Sequence, residues 1–125
     1  MLNGRDRLSN RRILVIEDEF FVGVDLVEEL EREGAEAFGP VSNFNEALSL
    51  VEEKGAELDA AILDINLHGE FAFPVALALE FRRVPFVFAT AHDHRSLPKR
   101  YSHIPHCQKP ISPEGVVGAL LKLLR

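Results

Sequence analysis

"AAILDIN" (60–66) is a run of apolar residues that ends in an acid. Ala60, Ala61, Ile62 and Leu63 read as a strand buried on both faces, with Asp64 at its end. Strands of that kind belong to parallel sheets covered by helices on each side. A carboxylate leaving such a strand is costly unless it is solvated, paired or bound to a metal. The stretch therefore points to a fold class and poses a question about Asp64.

Working outward, "RILVI" (12–16) is a second short apolar run, and it closes on Glu17, Asp18 and Glu19. Phe20, Phe21, Val24, Val27 and Leu30 then recur at helical spacing, against Asp25, Glu28, Glu29 and Glu31. "AEAFGPV" (35–41) is a weaker strand. Asn43 with Glu46 three residues on resembles a capping box for a helix carrying Phe44, Ala47, Leu48 and Val51. After the opening stretch, "LHGE" reads as a loop, and Pro74 sits in the first turn of a helix to about Arg83. "PFVFAT" (85–90) and "HCQKP" (106–110) supply two more strands. Ser112 caps a last helix with Pro113 in its first turn. Strands alternating with helices five times specify an α/β domain: a five-stranded parallel sheet with helices on both faces. Residues 1–11 read as a flexible tail and 12–125 as the single domain, with no linker or second domain following.

Composition narrows the function. The chain has 125 residues, 46% hydrophobic and 27% charged, the balance of a soluble globular domain. Its net charge of −6 argues against nucleic acid as a partner. No apolar run reaches the roughly 20 residues that span a bilayer, so no membrane association is expected. The polar N-terminus is not a secretory signal. A lone cysteine, Cys107, rules out an intrachain disulfide and fits a cytoplasmic location.

In an open parallel sheet, ligands bind beyond the carboxyl ends of the strands. Those ends carry Glu17 and Asp18, then Asp64, Thr90 and Lys109. Clustered carboxylates raise one another's pKa unless a cation intervenes. Mg²⁺ suits a site that offers a few carboxylate oxygens and keeps water for a phosphate to replace. A carboxylate is also a competent nucleophile toward phosphorus. Phosphoryl transfer then needs positioning and neutralisation of the equatorial oxygens, which Lys109 and Thr90 can provide.

With these residues in order, the sequence resembles the bacterial response-regulator receiver domains of two-component signalling, over about residues 12–124. The resemblance implies a flavodoxin-like (βα)5 receiver topology. It makes Glu17 and Asp18 the metal-binding acids, Asp64 the phosphoacceptor and Asn66 a backbone-carbonyl ligand of Mg²⁺. Thr90 becomes the switch hydroxyl, and Lys109, joined to Pro110 by a bond usually cis in the family, the phosphate-pairing lysine. "PFVFATAHD" further resembles the "PFxFATG" stretch of the single-domain FAT GUY receivers, often partnered with HWE-type or related histidine kinases. Ala91 replaces the usual glycine there. His106 stands where receivers commonly place the aromatic residue that moves with the switch hydroxyl.

The implied function is acceptance of a phosphoryl group from a histidine kinase or histidine phosphotransfer protein onto Asp64, signalling through protein contacts or acting as a phosphate sink. It is not that of an enzyme with turnover. The competing readings are a Mg²⁺-dependent phosphohydrolase with an aspartyl-phosphate intermediate and a flavodoxin-like cofactor binder. "DIN" lacks the second acid of the phosphohydrolase "DxDx", and "EDEFF" would repel a phosphate where a flavodoxin has a Ser/Thr/Gly-rich loop.

Other features have plainer readings. Glu19 reads as solvated, Cys107 as packing, and Phe20, Phe21, Phe44 and Phe81 as core. His92 and His94 lack zinc-site spacing, and His68, His92, His94, His103 and His106 read as surface or loop residues. The polar segment 91–104, broken by Pro98, is expected to hold at most a short helix and to have low local stability.

Overall fold

The computed structural model describes residues 6–90 and 97–124. Five parallel strands form the main sheet: β1 (Arg12–Ile16), β2 (Glu36–Val41), β3 (Ala60–Asp64), β6 (Phe86–Thr90) and β7 (His106–Gln108), in the order β2-β1-β3-β6-β7. Between β3 and the third helix lies a two-stranded hairpin, β4 (Asn66–Leu67) and β5 (Glu70–Phe71). The helices are α1 (Phe20–Arg32), α2 (Phe44–Lys54), α3 (Phe73–Phe81) and α4 (Pro113–Leu123). Where a helix would join β6 to β7, the described residues hold a single 3-10 turn, Lys99–Tyr101.

The apolar runs alternate between two cores. Ile13, Val15, Ala60, Ile62, Val87 and Ala89 face one, which Leu26 and Leu30 of α1 and Val116, Val117 and Leu120 of α4 complete. Leu14, Ile16, Ala61, Leu63, Phe86 and Phe88 face the other, closed by Ala47 and Val51 of α2 and Val75, Ala76 and Leu79 of α3. Both faces of β1, β3 and β6 are thereby dry, as continuous apolar runs require. The expected caps are in place: Asn43 Oδ1 accepts from the Glu46 N–H (2.7 Å) and Ser112 Oγ from the Gly115 N–H (3.2 Å).

Four expectations need correction. Phe20, Phe21 and Phe81 are exposed, and only Phe44 packs on the core. The inward stripe of α1 is Gly23, Leu26 and Leu30. A Cβ on Gly23 would lie 2.5 Å from Pro40, so β2 approaches there too closely for any side chain. The tail is docked from residue 6: Leu8 is buried in the α1–α4 core, its N–H donates to the Glu33 carbonyl (2.9 Å), and Arg7 Nη2 reaches Glu33 Oε2 at 2.7 Å. "LHGE" is the turn of the β4–β5 hairpin, with His68 and Gly69 at φ 51° and 86°. That pair of left-handed residues matches the twist of a two-residue hairpin. Finally, residues 97–104 are anchored by Tyr101, which is 2% exposed, with Leu97 and Ile104 packed beside it. Their spacing, four and then three residues, was an apolar periodicity hidden among polar neighbours. Residues 91–96 of that segment lie outside the described residues.

Candidate functional site

The strand order reverses direction between β1 and β3, and the crevice at such a switch point is where open sheets bind ligands. Glu17 and Asp18 follow β1 directly, and Asp64 closes β3. Glu17 is held by its own N–H, which donates to the Val41 carbonyl at 2.9 Å, and it is 1% exposed. Asp64 is almost as buried, at 3%. Thr90 ends β6 and is buried, and its carbonyl accepts from the Lys109 N–H (2.8 Å), fixing the lysine just past β7. The Lys109–Pro110 bond is cis.

Lys109 joins the acids. Its Nζ donates to Asp64 Oδ2 at 3.1 Å, Glu17 Oε2 at 3.1 Å and Glu19 Oε1 at 2.9 Å. Glu19, read from sequence as solvated, is thus a third counter-ion of the lysine. It occupies the N-cap position of α1 without capping it, which leaves its side chain to reach across. The hairpin aligns two more groups. The Asn66 N–H donates to Asp64 Oδ1 (3.1 Å) and the His68 N–H to Asp18 Oδ2 (2.9 Å), while Asn66 Oδ1 accepts from the Gly69 N–H (2.8 Å). Two residues, the second a glycine, between the polar–apolar pairs Asn66–Leu67 and Glu70–Phe71 were the sequence signal for this hairpin.

Burial pushes the Glu17 carboxyl up to about 8, helped by the adjacent Asp64. Burial also raises Asp64, against the opposing pull of Glu17, the Asn66 N–H and Lys109. For both carboxyls burial is the largest cause, so ionisation of the pair is disfavoured. At Asp18, burial is outweighed by the His68 N–H and neighbouring groups, so its pKa lies below the ordinary value. The Lys109 ammonium, despite its desolvation, is held charged by Glu19, Asp64 and Glu17.

These residues fit a hard cation. Glu17, Asp18 and Asp64 each offer an oxygen within 4.8 Å of the others, and Glu17 Oε1 is buried with no hydrogen-bond partner. A buried carboxylate oxygen without a donor is costly, and a few carboxylates with room for water suit Mg²⁺. Among the described residues this is the only group of three or more potential metal ligands, and it contains no histidine. His68 and His103 are exposed. His106 is half-buried, its ring 5.5 Å from that of Phe88, and neighbouring Cys107 is half-buried and packs on the α1–α4 core. Ala91, His92 and His94 lie outside the described residues.

No protein-family model matches the chain. It is 30% identical over 119 residues to the transcriptional regulatory protein PdtaR of Mycobacterium tuberculosis; the match covers 92% of this chain and 57% of that protein's length. The response regulator PhyR of Brucella abortus superimposes with a TM-score of 0.76 at 26% identity, covering 94% of this chain and half of PhyR. SdrG of Pseudomonas melonis Fr1, solved in its BeF3-activated conformation, gives a TM-score of 0.76 at 41% identity, covering 94% of this chain and 98% of SdrG. With so near a relative matched almost end to end, the chain belongs to the response-regulator receiver domains of two-component signalling.

Proposed function

We propose that the domain accepts a phosphoryl group from a histidine kinase, or from a histidine phosphotransfer protein, onto Asp64. The observation that carries this reading is the setting of Asp64. It is rigid at the end of the central strand, with one oxygen on the Asn66 N–H and the other on the Lys109 ammonium, beside two further acids. One Asp64 oxygen attacks the phosphorus of a phosphohistidine. The new P–O bond forms as the P–N bond breaks, and the imidazole leaves with the electron pair and takes up a proton. Lys109 exchanges a carboxylate partner for a phosphoryl oxygen, and the Thr90 hydroxyl takes another. Glu17, Asp18, Asp64 and the Asn66 backbone carbonyl would hold Mg²⁺, which when bound neutralises the phosphoryl oxygens.

The kinase we favour is of the HWE or a related type, on the "PFVFAT" stretch, and the setting we favour is the cytoplasm. No helix among the described residues is long and apolar enough to cross a membrane. We read the domain as a signalling module or phosphate sink rather than an enzyme with turnover. The test is labelling by acetyl phosphate or a kinase with Mg²⁺. Asp64→Asn keeps the shape but removes the nucleophile, and labelling is expected to vanish. Full-strength labelling of that variant, or steady hydrolysis of an added phosphomonoester by the wild type, overturns the reading.

A further inference from the structure

Helix α3 is apolar all round except for Glu80, which turns to Arg100 (3.0 Å). A helix of that composition is normally covered on every side. Here only Val75, Ala76 and Leu79 are buried, and the outer face leaves Pro74 exposed, Leu77 at 47% and Phe81 at 84%. Phe71 extends this apolar stripe beyond the start of the helix, stacked 5.8 Å from Phe73 and 56% exposed. Alongside runs a shallow groove of about 420 Å³ lined by Leu77, Ala78 and Phe81, with Glu52 and Arg82 at its rim. A stripe this continuous on a small domain marks an interaction surface.

The charges around it point to the occupant. Glu70 stands at the N-terminal end of the stripe and Arg83 at the C-terminal end. Both are exposed, and neither has an ion-pair partner among the described residues. Leu77 is the middle residue of the nine in α3, which is about 13 Å long. A twofold axis at Leu77 would lay α3 antiparallel on α3 of a second copy, with Phe81 facing the end that carries Phe73 and Phe71. The same rotation would bring Arg83 of each copy to Glu70 of the other. A surface that is acidic at one end, basic at the other and apolar between is complementary to itself only in this antiparallel sense.

We propose that the outer face of α3 is a homodimer interface, closed by Leu77 and Phe81 and oriented by reciprocal Arg83–Glu70 pairs. The face lies apart from Asp64 and Lys109, so the proposal stands independently of phosphorylation.

Sedimentation velocity and light scattering on the full chain, from micromolar to millimolar concentration, test it. The mass should rise from the 14.0 kDa of one chain toward twice that value. Leu77→Glu with Phe81→Glu should hold it monomeric while its circular dichroism matches the wild type. Glu70→Arg and Arg83→Glu should each weaken dimerisation about fivefold or more. Combined, they should restore it to within about twofold of wild type, a rescue that no loss of folding can imitate. A chain still monomeric at millimolar concentration overturns the proposal and leaves the stripe to a different protein. A dimer unaffected by the α3 substitutions, or charge reversals without rescue, also overturns it.

Discussion

Glu17 is the residue whose chemistry and burial conflict most. Its carboxyl is enclosed, one oxygen has no donor, and Lys109 must be shared with Asp64 and Glu19. The native state therefore holds a proton on Glu17 up to about pH 8, whereas the unfolded chain releases it near 4.5. A folded pKa above the unfolded one means stability that is complete below about 4.5 and is lost as pH rises through the folded value. The metal-free protein is accordingly predicted to lose thermal stability between about pH 4.5 and 8. Glu17→Gln keeps the shape of the protonated acid and cannot ionise, so its melting temperature should fall less over that range. Asp64, raised in the same direction, leaves a residual slope. Melting curves at a series of pH values in chelator check this; a variant with the full wild-type slope would show that Glu17 is ionised throughout.

The elements legible in the sequence were those whose burial is two-sided. β1, β3 and β6 announced themselves as unbroken apolar runs, and the acids and threonine at their ends, with the lysine just past β7, followed from the common direction of a parallel sheet. What escaped was set by contacts between distant elements. Phe20 and Phe21 have core composition, but the place facing the sheet is taken by Gly23 because Pro40 leaves no room for more. Glu19 became a partner of Lys109 only because the lysine just past β7 reaches back to the start of α1. Tyr101 sits in a polar stretch, yet it stacks on Phe73 at 5.4 Å and meets Phe88 edge-on at 5.6 Å, and Phe88 in turn lies 5.5 Å from its strand partner His106. The 3-10 turn is thus pinned by one side chain where a full helix would spread the load. Tyr101→Ala should cost about 3–5 kcal/mol, as for a large aromatic removed from a core. Denaturant unfolding measures this, and a loss under about 1 kcal/mol would mean the turn contributes little to the fold.

Considered whole, the domain carries two opposed tendencies. Its two cores hold the sheet rigid, while the edge beyond the strands gathers like charges that the sheet cannot relax away. A ligand that binds only the folded state stabilises it by mass action, by about 2.7 kcal/mol at a hundredfold excess over Kd. If Mg²⁺ is what the acids are gathered for, it should raise the melting temperature of the entire domain, not merely quiet a loop. The effect should depend on Asp18, the acid of the three whose pKa lies below its ordinary value and which is therefore ready to bind without first losing a proton. Asp18→Asn removes one charge from a side chain 19% exposed and leaves both cores untouched. It should weaken Mg²⁺ at least about tenfold, roughly 1.4 kcal/mol, and displace the thermal response to correspondingly higher metal concentration. Its melting temperature in chelator should lie slightly below that of the wild type, because a pKa held below its ordinary value means that the ionised Asp18 favours the folded state. Melting curves across a Mg²⁺ titration read both quantities at once. An unchanged Mg²⁺ dependence in Asp18→Asn would mean that the acids are only surface charge and that Lys109 alone balances them.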